Sequence, residues 1–544
     1  MNWFPLCNFT HYSLLRGFSK PAQLVKKCVD NKYNACGIAD YKSIAGAVSF
    51  YKICKENDIK PIIGCSFDGF TLFAKNKDGW MDLVRIISSM DEEKNVDSTV
   101  LQDSCSKNNL ISIATDEANS PIKGDDFYVK GPCFYDTYYA NQSDAELQRI
   151  TLCSGMKTTL PKIKSKMRQG TVENQQFFDF DTFYLKDGVE ISEVLLQDDS
   201  GIEHFTKIYE KCLDYEILHK PILPDFYPPN GQTQEEFLKQ ICRDGWTKLL
   251  IGGDKLSTPE VKQQYLDRFT LEFQTIKEAD LFGYFLIVHD ILNFVRSKGW
   301  FCGPGRGSAA GCLISYLMNI TQIDPIEFDL LFERFYNSGR NTADYVSLPD
   351  IDMDVPSEKR DEIIHYLKGK YGKDNVGQML TFGKLQGKSA IKEVLRISEA
   401  CGFGEMNEMT KSIPYTEEIS DQLQAMDEED RSVIMWALVN NADRLRDFCY
   451  IGNDGELGGT YAQYFKQAIE IEGTFKSQSK HAAGVVISTK SLYEVCPMVS
   501  QAGGGDKVAG FEMNDLDAIG LPKFDLLGLN TLDKTMQIEA MANS

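Results

Sequence analysis

The sequence predicts an α/β multidomain protein, and three observations predict it. The first 70 residues alternate helix-like and strand-like pieces. A segment near residue 350 alternates polar and apolar at period two and carries three aspartates. Two long stretches, 234–296 and 391–474, read as largely helical. A chain of 544 residues, 42% hydrophobic and 25% charged, has enough apolar material for several cores.

Taken in order, residues 24–31 read as a helix, 35–40 as a strand end, 46–56 as a helix and 60–64 as a strand. This βα rhythm suggests a small barrel-like domain. Farther on, 91–95 and 103–108 read as solvated loops, and 128–139 is aromatic-rich and strand-like. Lys220-Pro-Ile-Leu-Pro-Asp-Phe-Tyr-Pro-Pro-Asn-Gly231 breaks the rhythm and marks a boundary. Beyond it, Phe237, Leu238, Ile241 and Trp246 give an apolar helix face, and 265–277 gives another helix.

The segment Ser347-Leu-Pro-Asp-Ile-Asp-Met-Asp-Val355 reads as a strand. Asp350, Asp352 and Asp354 then share one face, with neighbouring Cα atoms about 7 Å apart, and their carboxylates can converge on hard divalent cations. The competing reading is an edge strand guarded by charge. Upstream, Gly303-Pro-Gly-Arg-Gly-Ser308 leads into a helix expected to start near Ser308. Glycines admit an anion close to the backbone, and Arg306 offers a forked donor; a plain tight turn fits the loop as well. It is not a Walker A loop, because it lacks Gly-Lys-Ser/Thr at the required spacing. It meets a loose dinucleotide fingerprint, but a helix, not a strand, precedes it. A phosphate loop followed by paired aspartates suits nucleotidyl transfer. A third carboxylate is available at Asp525, for which capping or turn duty is the alternative.

After the aspartates, Ser357 is a plausible N-cap for a helix buried through Ile363, Ile364, Leu367 and Tyr371. Residues 382–396 are locally basic. The helical stretch 391–474 carries acidic patches such as Asp427-Glu-Glu-Asp-Arg431.

Six blocks in order carry a resemblance. They are Gly303-Pro-Gly-Arg-Gly-Ser308, Phe332-Glu-Arg-Phe335, Pro349-Asp-Ile-Asp-Met-Asp354, Glu358-Lys-Arg-Asp361, Lys480-His-Ala-Ala-Gly-Val-Val486 and Lys523-Phe-Asp-Leu-Leu-Gly528. Together they resemble the palm of family C DNA polymerases, the bacterial DNA polymerase III alpha subunits. His11-Tyr-Ser-Leu-Leu-Arg-Gly17, Gly46-Ala-Val-Ser-Phe-Tyr51 and Ile59-Lys-Pro-Ile-Ile-Gly-Cys65 resemble the polymerase-and-histidinol-phosphatase (PHP) domain that opens the same family.

The resemblance implies a PHP-like α/β barrel over 1–225, a polymerase-beta-like nucleotidyltransferase palm over 226–390 and 475–544, and an inserted helical thumb over 391–474. It implies two Mg²⁺ ions on Asp350, Asp352 and Asp525, the catalytic residues, with Asp354 behind them. It assigns the triphosphate to Arg306, Gly307, Ser308, Arg334 and Lys523. Primer–template DNA would meet Lys388, Lys480 and His481; a strand entrance with two exposed polar residues is the other reading of the last pair. Deoxynucleoside triphosphates are the implied co-substrate. Family members continue past the last palm aspartate into fingers and a clamp-binding region. The expectation is therefore either a shortened chain whose missing C-terminal part holds the fingers or, preferred, a split polymerase, of bacterial or bacterial-virus source, whose second chain brings the fingers and reaches a sliding clamp. The longer loop at 337–347 departs from the family and leaves Arg340 without an assigned role.

Metal-binding PHP domains carry a His-x-His pair where this chain has Cys7 and Phe9. Arg16, Tyr41 and Ser66 stand at three further ligand places, and only Asp40 remains ligand-like. With six histidines in the whole chain, no zinc is expected in this domain. His11 is either a shifted ligand or an ordinary polar contact.

The formal charge of −21 excludes a generic nucleic-acid coat and demands a local basic track. Fifteen scattered cysteines without a Cys-x-x-Cys pair suggest reduced, buried thiols. No apolar run reaches membrane-spanning length and no signal-peptide pattern opens the chain, so the expected location is cytoplasmic, in a bacterial cell or an infected host, with no membrane partner. Two rival functions remain at this stage: a non-catalytic architectural subunit of a replication complex, and a template-independent nucleotidyltransferase.

Overall fold

A computed structural model describes residues 3–169, 171, 180–196, 201–337, 339, 348–426, 431–501 and 504–543. The expected acidic run at 427–430 and Arg340 lie outside the described residues. The chain divides into two compact units, 1–216 with 382–479, and 217–381 with 480–544. Two of the three divisions fall inside the strands Val376–Lys384 and Phe475–Ile487, and the third, between 216 and 217, falls in irregular chain.

In the first unit, Ala35–Ile38, Lys60–Ser66, Phe70–Ala74, Leu110–Ala114 and Phe127–Val129 form a five-stranded mixed sheet in that order. Cys7–Asn8 and Asp136–Thr137 form a separate parallel pair. The helices Pro21–Asp30 and Ala47–Glu56 stand where the apolar spacing places them, each burying one stripe. The expected loop at 103–108 is instead mostly the end of the helix Ser98–Ser106, because the Asp97 carboxylate accepts from the amides of Thr99 and Val100 and caps it. Residues 388–471 supply further helices, among them Lys388–Ser398, Phe403–Lys411, Val433–Asn440 and Ala462–Ile471, packed in one core with Phe9, Phe18 and Tyr138.

In the second unit, the helices Gln234–Gly245, Pro259–Glu278 and Phe282–Ser297 share a core with the apolar face of a sheet. The sheet runs, from one edge to the other, Met498–Val499, Val508–Ala509, Val376–Lys384, Phe475–Ile487, Lys523–Leu529 and Asp352–Pro356. The last pair is parallel, with Asp525 opposite Asp352. The preceding pair is antiparallel, with Gly484 opposite Asp525.

Three local expectations change. The aspartate strand starts at Asp352 and not at 347, because ladder pairing begins there; the amide of Ile351 donates instead to the Tyr284 hydroxyl at 3.3 Å. The helix after the glycine loop starts at Leu313 and not at Ser308, with a 3₁₀ turn over Gly307–Gly311 before it. At the helix Arg360–Tyr371, the lead-in amides of Ser357 and Glu358 donate to the Asp533 carboxylate at 3.0 and 3.3 Å, so Asp533 does the capping expected of the Ser357 side chain.

Candidate active site

The aspartate strand is a sheet edge, as the charge-guard reading expected, but its acids are not spread along solvent. Ile351, Met353 and Val355 are buried in the core on one side. Period two turns Asp352 the other way. On the adjacent strand, Phe524 and Leu526 enter the same core and Asp525 emerges between them. Asp350, Asp352 and Asp525 thereby each present one carboxylate oxygen within 4.8 Å of the others. Burying these three apolar side chains, at about 1.5–3 kcal/mol apiece, works against the repulsion of like charges on the opposite face.

The electrostatics of this cluster are unbalanced. Burial, then Asp350 and Asp525, raise the Asp352 carboxyl above its ordinary value. Lys523 Nζ stands 2.6 Å from Asp525 Oδ2 and is the immediate counter-charge. Burial works against the Lys523 ammonium, but Asp525 and Asp350 outweigh it and its pKa is raised. The second Asp525 oxygen, Oδ1, is buried with no hydrogen-bond donor. A buried carboxylate oxygen without a donor, on a residue grouped with two more carboxylates, fits a hard divalent cation. Tyr284 lies under the cluster, fully buried and stacked on Phe524 at 5.4 Å, and its phenol is held protonated by burial and by Asp350.

The glycine loop adjoins Asp354. The Gly303 amide donates to the Asp354 carbonyl at 3.1 Å. A Cβ on Gly303 would lie 2.5 Å from Asp354 Cβ and 2.6 Å from its Oδ2. Arg306 Nε stands 3.1 Å from Asp354 Oδ1. Asp354 is therefore ion-paired with the arginine of the loop, though its Oδ1 is buried without a hydrogen-bond donor, and it lies outside the group of Asp350, Asp352 and Asp525. Gly307 has φ +59° and open space where a side chain would be, so its backbone is accessible to a ligand. Ser308 follows it half-buried, and Arg334 is exposed on the turn Phe332–Arg334.

The expected anion site at a helix N-terminus is filled from within. Buried Glu272 accepts from the amides of Leu313 and Ile314 at 3.0 and 2.9 Å, and Arg268 Nε donates to it at 2.6 Å. Arg268 also donates to the carbonyls of Gly311 and Leu330. A phosphate at this loop would therefore meet Arg306 and Gly307 and not the helix end, whose amides are taken. Glu272 gave no sequence signal beyond an i,i+4 spacing from Arg268.

The paired expectation for Lys480 and His481 separates. His481 faces the carboxylate cluster: its Nδ1 accepts from the amides of Ala483 and Gly484 at 3.2 and 2.8 Å, and burial lowers its pKa against the opposing pull of Asp525. Lys480 lines a different cavity with Lys368 and Lys373. Lys388 belongs to the first unit, where its ammonium lies 3.9 Å from the Tyr415 ring centroid. Arg360, not singled out in the sequence, acts electrostatically on His481 and holds Nε and Nη2 buried without acceptors.

In the first unit, Asp40 accepts from the amide of Thr10 at 2.6 Å and from the hydroxyls of Thr10 and Ser13 at 2.8 and 2.6 Å. Burial nevertheless pushes its pKa up to about 6. Arg16 lies 4.0 Å over the Tyr41 ring, and Phe9 stacks on Tyr138 at 4.6 Å. Phe9, Arg16, Tyr41 and Ser66 line one cavity of about 290 Å³ in this unit.

The model of the bacterial DNA polymerase III alpha NTPase domain matches residues 236–528, and that of the PHP domain matches 8–185. Similar proteins named DNA polymerase III subunit alpha come from Pseudomonas fluorescens, 29% identical over 96% of this chain and 47% of that protein, and from Bacillus subtilis, 29% identical over 97% and 48%. The one from Ureaplasma parvum is 30% identical over 96% of this chain and 50% of that protein. The chain spans about half the length of the curated relatives it matches. Among the described residues, no helix is long and apolar enough to cross a membrane.

Proposed function

The chain belongs to the bacterial DNA polymerase III alpha family, and on that premise we propose that it is the palm-bearing part of a replicative DNA-directed DNA polymerase. The observation that carries this reading is the convergence of Asp350, Asp352 and Asp525 beside an open glycine loop. These three aspartates would hold two Mg²⁺ ions, which when bound neutralise the triphosphate and acidify the primer 3′-hydroxyl. Arg306, ion-paired with Asp354, offers its guanidinium donors to phosphate, with the Gly307 and Ser308 backbone beside it. Arg334 and Lys523 add positive charge. Arg360 brings two donors that lack acceptors, and His481, with Nδ1 already accepting, presents Nε2 to the primer side. Tyr284 keeps water from beneath the carboxylates.

In the same proposal, residues 1–225 are a PHP-like barrel without a zinc site, 391–474 are the thumb, and Lys388 and Lys480 track DNA. Primer–template DNA and deoxynucleoside triphosphates are the substrates. A polymerase segment with fingers, and a sliding clamp reached through it, are the partners this reading calls for. The test is Mg²⁺-dependent primer extension by the full chain together with whatever polymerase chain co-purifies, using Asp352→Asn as the comparison. Template-directed extension lost in the variant is expected. Product whose sequence ignores the template would favour a template-independent transferase. DNA binding without extension in either protein would favour an architectural subunit.

A further inference from the structure

The carboxylate cluster does not account for the cavity on which Lys480 opens. Its volume is about 540 Å³, within the span of ligand clefts, roughly 300–1,000 Å³. One wall is the helix Arg360–Tyr371, whose residues Asp361, Ile364, His365 and Lys368 recur at helical spacing on one face. Gln378 comes from the strand Val376–Lys384, and the segment around Asp506 closes the far side.

Two independent features fix the chemistry of its ligand. The lining holds four lysines, 368, 373, 480 and 507, against two aspartates, 361 and 506. Asp506 already pairs with Lys368 and lies in the field of Lys373 and Lys480. Its own side chain is 77% exposed, so it is a weak and displaceable counter-ion. Second, Gln378 Nε2 is buried with no acceptor. A buried amide donor without an acceptor costs about 1–3 kcal/mol. An anionic oxygen in the cavity would satisfy it. Gly505, at φ +105° with nothing near its missing Cβ, leaves the segment beside Asp506 open.

We propose that this cavity is a phosphate-binding site, seated by Lys373, Lys480 and the Gln378 amide, that takes the phosphodiester backbone of a nucleic-acid strand. The assignment of the strand rests on the polymerase reading; the phosphate chemistry does not. The cavity exceeds a single phosphate group and suits a phosphate carried on a nucleotide unit. It also supplies a local positive patch of the kind a chain of net charge −21 needs to hold DNA.

The test compares the full-length chain with Lys373→Ala, which alters an exposed side chain, and with Gln378→Leu, which removes the donor. Fluorescence anisotropy of labelled primer–template and of single strand is measured as a function of salt. Loss of one phosphate contact flattens the log–log salt slope by about 0.9 for duplex or about 0.7 for single strand, which is about fivefold weaker duplex binding at 0.15 M salt. That shift in Lys373→Ala, with weaker binding in Gln378→Leu, supports the proposal with a strand as the phosphate source. Calorimetry with tripolyphosphate supplies the second arm. If the DNA slope is unchanged but tripolyphosphate binds the parent chain and not Lys373→Ala, the phosphate site stands and free polyphosphate is its source. An unchanged slope with unchanged or absent tripolyphosphate binding overturns the proposal. Asp352→Asn keeps the parent slope under this reading, so loss of extension and loss of phosphate binding fail separately.

Discussion

Replacing Asp352 by asparagine is expected to stabilise the metal-free chain locally while removing its activity. The ligand oxygens of Asp350, Asp352 and Asp525 lie within 4.8 Å of one another. At an effective dielectric of about 20, each such pair repels by about 3.5 kcal/mol. Neutralising Asp352 removes two of these pairs. It also gives up the attraction of Arg306 and Lys523, which act on Asp352 in the opposite sense. Asp352 is only partly buried, so solvent screens every one of these terms. The net expectation is about 1–3 kcal/mol of local stabilisation in chelator, or hydrogen exchange about five- to 150-fold slower. The assay is exchange of amides in the strands Asp352–Pro356 and Lys523–Leu529, with EDTA and with Mg²⁺. Saturating Mg²⁺ at 100 times its Kd should add about 2.7 kcal/mol to the parent and much less to the variant, reversing their order. Equal or faster exchange of the variant in EDTA would refute the electrostatic account. Equal Mg²⁺ protection of both would place the ion elsewhere.

Three more expectations test other parts of the argument. His11 is buried, stacked on Phe475 at 4.0 Å, and pushed down to about 3 by burial, with Lys20 and Lys384 adding to the effect. Between pH 6.5 and about 3 the unfolded chain binds a proton that the folded chain refuses, so stability present above pH 6.5 falls by up to about 1.4 kcal/mol per pH unit on acidification. His11→Phe keeps the stack and should lower proton uptake on unfolding in that window by about one, as read by calorimetry in buffers of different ionisation enthalpy; unchanged uptake would contradict this. Glu272→Ala strands the Leu313 and Ile314 amides and takes the carboxylate from Arg268, which keeps the Gly311 and Leu330 carbonyls, at a cost of about 3–5 kcal/mol, and should accelerate exchange at those two amides before any change in the first unit. Gly303→Ala drives a Cβ into Asp354, costing about 1–3 kcal/mol, and should reduce primer extension more than tenfold by displacing Arg306; near-parent extension would show that the loop tolerates the shift.

The parts legible in the sequence were those written in short-range spacing. Alternation around Asp352 gave a strand with one acidic face, and apolar recurrence gave the helix Gln234–Gly245. What escaped depends on partners distant along the chain. Nothing local says that the Ile351 amide finds Tyr284, or that Glu272 fills the helix end beside the glycine loop. Separation of Lys480 from His481 was available in principle, because neighbours on a strand face opposite ways. Reading them as one motif obscured that geometry. The parallel register of Asp525 with Asp352 is a different case: the residue type was visible, but the strand order that joins them is a property of the whole sheet.

The resting charge pairs also bear on what the cluster can select. Lys523 is held by Asp525 and Arg306 by Asp354, so the two main cations beside the carboxylates are already neutralised within the protein. A lone anion must compete with these carboxylates for Lys523 and Arg306. A lone divalent cation on Asp525 Oδ1, which has no donor, weakens the hold of Asp525 on Lys523 and leaves the ammonium facing a second cation. A ligand that brings cation and phosphate together exchanges both pairs at once: the cation takes the aspartates while phosphate takes the released lysine and the arginine. Each partial exchange strands a charge that is partly buried, and stranding such a charge is the costly step. Under the proposed polymerase reading the arrangement would favour a metal–polyphosphate complex over either component, a selectivity set by which charges are paired and not by cavity shape.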